Sequence, residues 1–130
     1  MRSPTDIIYV AIDGDNIGSN IELFILENQM TGLQEYSNKF NSAIDWLIQS
    51  FMSECNAEVY LKGGDSILVG VPSDSKIGVV IEGLRKQFAE KTGNTISVGI
   101  GESPLHAYLA LKYAKASGKN LIKYYSEIKS

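Results

Sequence analysis

Two short apolar runs, Val59-Tyr60-Leu61 and Ile67-Leu68-Val69, flank Lys62-Gly63-Gly64-Asp65-Ser66, and this pattern constrains the chain more than any other. Such runs around paired glycines predict a β-hairpin over residues 58–71 with a carboxylate at its tip. Gly63 and Gly64 permit positive φ and let another group approach the backbone closely. A Gly-Gly-Asp turn on its own is only a turn, so its meaning depends on what the rest of the chain brings to it.

Ile7 to Ile12 is a continuous apolar run, the pattern of a strand covered on both faces, and it leads straight into Asp13-Gly14-Asp15-Asn16. Ile17, Ile21 and Phe24/Ile25 predict a short helix over 16–26. Residues 28–36 are polar, contain Gly32 and read as a loop or helix break. Ser37 is the expected cap of a long helix whose stripe is Phe40, Ile44, Leu47, Ile48 and Phe51, with Trp46 off the stripe and expected in core packing. After the hairpin, Pro72-Ser73-Asp74 opens a helix with Ile77, Val80, Ile81, Leu84 and Phe88 on one side. Gly93-Asn94 turns into a strand over 95–100. Ser103-Pro104 is a cap followed by proline at the first helical position, Ala107, Ala110, Leu111 and Ala114 form the inner face, and Gly118 ends the helix. Residues 120–125 read as a last strand.

The order β-α-α-β-β-α-β-α-β belongs to the α+β class, as a ferredoxin-like core extended by a C-terminal helix and strand. The expected sheet is mainly antiparallel, with helices on one face. Right-handed crossovers put strand one between strands three and four. The end of strand one, at Asp13, then adjoins the start of strand three, at Asp65. Neighbouring strands lie about 4.8 Å apart, so both carboxylates reach one cation. Residues 1–130 read as a single domain without repeats or linkers.

No apolar run approaches the roughly 20 residues needed to span a bilayer. The N-terminal Met1-Arg2-Ser3-Pro4-Thr5-Asp6 lacks a signal-peptide core, which makes a cytoplasmic location the expectation. Cys55 is the sole cysteine, excluding an internal disulfide or thiolate cluster and suggesting small filler behind a helix. A net charge of −3 argues against a general nucleic-acid coat. Its distribution is uneven: residues 103–130 carry five lysines against Glu127 alone, +4, which leaves −7 for the rest. Acids for cations and lysines for phosphates, within one small domain, suit a nucleoside triphosphate with its metals.

Three stretches together carry a resemblance: the apolar strand running into Asp13-Gly14-Asp15-Asn16, the hairpin Gly63-Gly64-Asp65, and the helix end Tyr113-Ala114-Lys115-Ala116-Ser117-Gly118-Lys119-Asn120. Over about residues 7–125 the chain resembles the palm-type nucleotidyl cyclases and polymerases, which include the GGDEF cyclases, and most of all the minimal CRISPR polymerase family. The resemblance implies a palm domain that makes a cyclic di- or oligonucleotide from NTP, with ATP favoured. It also implies Mg²⁺ or Mn²⁺ as cofactor, antiviral signalling through a downstream effector, and no direct nucleic-acid partner. An RRM-like RNA binder shares the topology, but Tyr9 and Tyr60 are too few for base stacking. A homodimer is expected, because closing a cyclic dinucleotide requires two nucleotide sites to face each other.

By the same resemblance, Asp13 and Asp65 are the catalytic metal-binding aspartates, and the Gly14 carbonyl completes the shell. Asp15 has two readings, ligand of a second metal or closing residue of the Asp-Gly-Asp turn. Gly14, Asn16, Gly63 and Gly64 are expected to receive the nucleotide, with Lys115 and Lys119 on its phosphates. At a helix C-terminus such lysines also favour the dipole, by about 0.3–1 kcal/mol. Ser66 departs from the pattern, since the family carries a second acid there. A binding-only domain is therefore the alternative. His106, without a Ser or Cys partner, is expected to be a capping or surface residue.

Overall fold

In the computed structural model, residues 6–128 are described; Met1 to Thr5 and Lys129, which entered the sequence reading, lie outside them. The order is β1 (Ile7–Gly14), α1 (Ile17–Leu26), α2 (Met30–Cys55), β2 (Glu58–Gly63), β3 (Ser66–Pro72), α3 (Ile77–Thr92), β4 (Ile96–Gly101), α4 (Pro104–Ala116), β5 (Ile122–Tyr124) and α5 (Tyr125–Ile128). The sheet runs β2-β3-β1-β4-β5. β1 is antiparallel to both β3 and β4, and only the short β5 pairs parallel, with β4. The topology expected from the element order is the one observed.

Alternation along β1 divides the sheet into two unlike faces. Ile8, Val10 and Ile12 point into a core formed with Phe40, Ile44, Leu47 and Phe51 of α2 and Ile81, Leu84 and Phe88 of α3. The other face carries Ala11 and Asp13, and there α4 covers β4 and β1. The expectation of helices on one face is corrected here: α2 and α3 share a face, whereas α4 lies across the opposite one. Glycines in β4 allow it. A Cβ at Gly99 would sit 2.2 Å from the Leu111 backbone nitrogen, and one at Gly101 would sit 2.6 Å from that of Ala107. The inner side of α4 is correspondingly small, with Ala107, Ala110 and Ala114 fully buried.

The second correction concerns α2. It begins at Met30 rather than near Ser37, so residues 30–36 are helical and Gly32 does not break them. Gly32 instead lets two helices meet, for a Cβ there would lie 2.9 Å from the Phe24 ring of α1. One turn later, Tyr36 packs its ring on Phe24 and donates its hydroxyl to Asn94 Oδ1 at 2.8 Å. The polar run therefore serves tertiary contacts. Cys55 is buried, and burial above all pushes its thiol up to about 11, so it stays neutral. Trp46 packs against the core beneath the Lys91 ammonium. Among the described residues no helix is long and apolar enough to cross a membrane.

Candidate active site

The β1–β3 register places Asp13 directly across from Ser66. The hairpin turns through Gly64, at φ +61°, and Asp65, between the paired Gly63 and Ser66. A Cβ on Gly64 would meet nothing within 4 Å, so the space above the hairpin tip is open. The tip leans back on β1: the Gly14 N–H donates to the Asp65 carbonyl at 3.1 Å. A Cβ on Gly14 would come within 3.2 Å of the Asp65 Cβ. Ile17 Cγ1 would be nearer still, at 2.7 Å, so glycine at 14 lets both α1 and the hairpin close on β1. Burial and then the neighbouring Asp13 charge raise the Asp65 pKa above its ordinary value.

Asp13 is held on both oxygens. The Ser66 hydroxyl donates to Oδ1 at 2.8 Å, and Lys115 Nζ lies 3.0 Å from Oδ2. The same ammonium donates to the Gly14 carbonyl at 2.7 Å and to Asp15 Oδ1 at 3.1 Å. Burial lowers the Lys115 pKa, but Asp13 and Asp15 outweigh it and hold the ammonium above its ordinary value. Asp13, Gly14, Asp65 and Lys115 therefore meet at one end of the sheet, with Lys115 on the carboxylates rather than held apart from them.

Asp15 occupies a different environment. It is 2% exposed, and four donors share its two oxygens: Ser97 Oγ (2.7 Å) and Lys115 on Oδ1, with Thr95 Oγ1 (2.7 Å) and the Asn120 N–H (2.9 Å) on Oδ2. Burial pushes its pKa up, and the bonds from Ser97, Thr95, Lys115 and Asn120 more than reverse this, leaving it below the ordinary value. Asp15 joins β1 to β4 and to the loop after α4. Thr95, Ser97 and Asn120 escape sequence reasoning as partners of Asp15. The available signal was a buried acid one step beyond a covered strand, which must find donors.

That loop is unusual backbone. Gly118, Lys119 and Asn120 all have positive φ, at 119°, 68° and 53°. Left-handed non-glycine residues cost of order 1 kcal/mol each and persist only where surrounding contacts hold them. Here the Asp15 carboxylate takes the Asn120 N–H, and Arg85 of α3 donates to both the carbonyl and the side-chain oxygen of Asn120. The result aims Lys119 back at β1, where Nζ reaches Asn16 Oδ1 at 2.6 Å. Asn16 is itself left-handed, at φ 60°.

Oxygen donors from one or two carboxylates and a carbonyl suit a hard divalent cation such as Mg²⁺. Asp13, Asp65 and the Gly14 carbonyl fit that description, and the Lys115 ammonium on Asp13 and the Gly14 carbonyl shows that the spot accepts positive charge. Among the described residues no group of three or more His, Cys, Asp or Glu stands ready for a metal. The oxygens on offer are the carboxylates of Asp13 and Asp65 and the Gly14 carbonyl, and those of Asp13 and Gly14 are bonded to Lys115.

A small cavity of about 180 Å³ between α1 and α2 is lined by Asn20, Leu23, Phe24, Glu27 and Tyr36. Asn20 connects it to the site, donating to Asn94, whose side chain in turn donates to the Asp15 carbonyl. A larger cleft of about 1160 Å³, lined in part by Ile8, Gly101, His106 and Tyr124, lies at the opposite end of the sheet and holds none of the acids above. His106 stacks on Tyr125 there and its N–H takes the Ser103 cap, about 13 Å along α4 from Lys115. It has no part in the acid site.

The family description "minimal CRISPR polymerase domain" matches residues 9–125. No curated protein matches the chain. Among solved structures, the GGEEF domain of a Vibrio cholerae diguanylate cyclase superposes with a TM-score of 0.63 at 19% identity, covering 92% of this chain and 82% of that one. The GGDEF domain of DgcB from Caulobacter crescentus, in complex with c-di-GMP, gives 0.67 at 16%, covering 92% and 78%. The Csm1–Csm4 cassette in complex with one ATP gives 0.64 at 20%, covering 90% of this chain but 20% of that one. These likenesses describe the fold.

Proposed function

The chain belongs to the minimal CRISPR polymerase family, and from that premise we propose that it is a metal-dependent nucleotidyltransferase that joins NTPs, with ATP favoured, into a cyclic di- or oligonucleotide. The observation that carries this reading is that Lys115 bonds the Asp13 carboxylate and the Gly14 carbonyl beside the open hairpin tip that carries Asp65, with Lys119 bonded to Asn16 just past β1. Acids and a carbonyl for a cation, set against two lysines for phosphates, make a site for a triphosphate rather than for a neutral ligand.

In the reaction a ribose hydroxyl oxygen of one nucleotide bonds to the α-phosphorus of another. The bond to pyrophosphate breaks, pyrophosphate leaves with the electron pair, and the hydroxyl proton passes to solvent. Asp13 and Asp65 would hold the metal, with Ser66 orienting Asp13 from across the pair. Mg²⁺ or Mn²⁺, when bound, neutralises phosphate charge and activates the attacking hydroxyl. Lys119 and Lys115 hold the β- and γ-phosphates as point charges. The bare glycines of the hairpin leave room for the sugar. The cavity beside Phe24, with Asn20 and Tyr36 at its wall, is the seat for the base. In the cell this activity serves antiviral signalling, with an effector that senses the product.

Incubation with each NTP and Mg²⁺ or Mn²⁺, followed by mass spectrometry, tests the reading. A cyclic product with released pyrophosphate is expected. Tight triphosphate binding without turnover would favour the binding-only alternative, for which the observation is Ser66 in the place of an acid.

A further inference from the structure

Lys115 has two duties that it cannot perform at once. Its Nζ lies 2.7 Å from the Gly14 carbonyl, 3.0 Å from Asp13 Oδ2 and 3.1 Å from Asp15 Oδ1. An ammonium has three N–H donors, and these three oxygens occupy them. None remains for a phosphate. Two of the oxygens, from Asp13 and Gly14, are those assigned above to the metal.

We infer that Lys115 is a built-in cation of the acid site, that a divalent metal displaces it from Asp13 and Gly14, and that only the displaced lysine is free to take the triphosphate. The inference rests on the reading of Asp13 and Gly14 as metal ligands. Asp15 gives the exchange a pivot, since its Oδ1 keeps Ser97 as a partner when the ammonium turns away. Lys115 sits in the last turn of α4, so a change in side-chain rotamers moves the charge without disturbing the helix. Metal without nucleotide must compete with a resident charge and binds weakly. Metal with nucleotide gives that charge a new partner and binds tightly. By linkage the nucleotide is likewise held better once metal is present.

Acylation of lysines in the wild-type protein, quantified by peptide mass spectrometry, reads the exchange directly. Mg²⁺ alone is expected to raise labelling of Lys115 several-fold, and adding a non-hydrolysable ATP analogue to lower it again, with Lys119 insensitive to Mg²⁺ alone. Mn²⁺ binding followed by electron paramagnetic resonance gives the complement. Without nucleotide, Lys115→Met should bind Mn²⁺ roughly tenfold more tightly than wild type. Lys119→Met, which removes a charge without vacating the carboxylates, should change it far less. If Asp13→Asn abolishes Mn²⁺ binding while Lys115 labelling ignores Mg²⁺, the exchange is wrong and the metal site stands. If Asp13→Asn leaves Mn²⁺ binding intact, the metal site itself is misplaced and the exchange falls with it.

Discussion

Ser66 lies directly opposite Asp13 in the β1–β3 pairing and donates its hydroxyl to Asp13 Oδ1 at 2.8 Å. The residue that breaks the family pattern thus orients the acid that keeps it. An aspartate at 66 would lose that bond and place two negative charges across one strand pair. Ser66→Asp should therefore lower the apo protein's stability by about 1 kcal/mol or more. Saturating Mg²⁺ should raise its melting temperature more than it raises that of wild type, with activity equal or greater. Thermal melts with and without Mg²⁺ check this; equal metal responses would count against a shared site.

The Asp65 pKa is raised, by burial first and then by the Asp13 charge. A carboxylate with a raised folded value costs stability when ionised, above its ordinary range, and costs nothing once acid has protonated it in both states. Asp65→Asn should melt above wild type at neutral pH, the gap closing in acid, and should lose turnover. Asp13→Asn should show no such gain, since it gives up the Lys115 ion pair. Parallel melts of the two variants decide the matter.

Asp15 predicts the opposite pH dependence. Its folded pKa lies below the ordinary 3.8, so its contribution is complete above that value and is lost as pH falls through the folded one. Asp15→Asn sets an amide against four donors and should cost about 3 kcal/mol at neutral pH. The deficit should shrink below about pH 4. Urea unfolding at pH 7 and pH 3 measures it, and a deficit that ignores pH would show that the carboxylate charge is not its source.

Lys119 Nζ bonds Asn16 Oδ1 across the site mouth. Lys119→Ala should change stability by no more than about 0.5 kcal/mol. It should weaken ATP binding well beyond adenosine binding, because an ammonium favours a ligand through phosphate charge. Calorimetry with both ligands tests this; equal losses would make the lysine a structural residue.

For the cyclic dinucleotide proposed above, each hydroxyl has to meet the other nucleotide's α-phosphate, so the expected working form is a homodimer with two facing sites. Specific activity should then fall on dilution, and adding an Asp65→Asn subunit should suppress wild type through mixed dimers. Constant specific activity at concentrations where scattering shows only monomer would overturn it.

Much of the fold was legible locally. The run from Ile7 to Ile12, the Gly63-Gly64-Asp65 turn, the Ile81-Leu84-Phe88 stripe and the Ser103-Pro104 cap each depend on neighbours in the chain, and each became the predicted element. Strand order followed from them because right-handed crossovers leave few alternatives. The start of α2 did not follow, since Gly32 reads as a breaker until the Phe24 ring is seen against it.

The sequence by itself determined which acids end which strands, and so brought Asp13 to Asp65. Only the tertiary structure decided what holds them. Glycines in β4 let α4 cross the second face and deliver Lys115 to the carboxylates. The donors that surround Asp15 come from Thr95, Ser97, Lys115 and Asn120, 80 to 105 positions along the chain. Periodicity reports a residue's local neighbours, whereas a buried charge is settled by whichever donors the completed fold brings within reach.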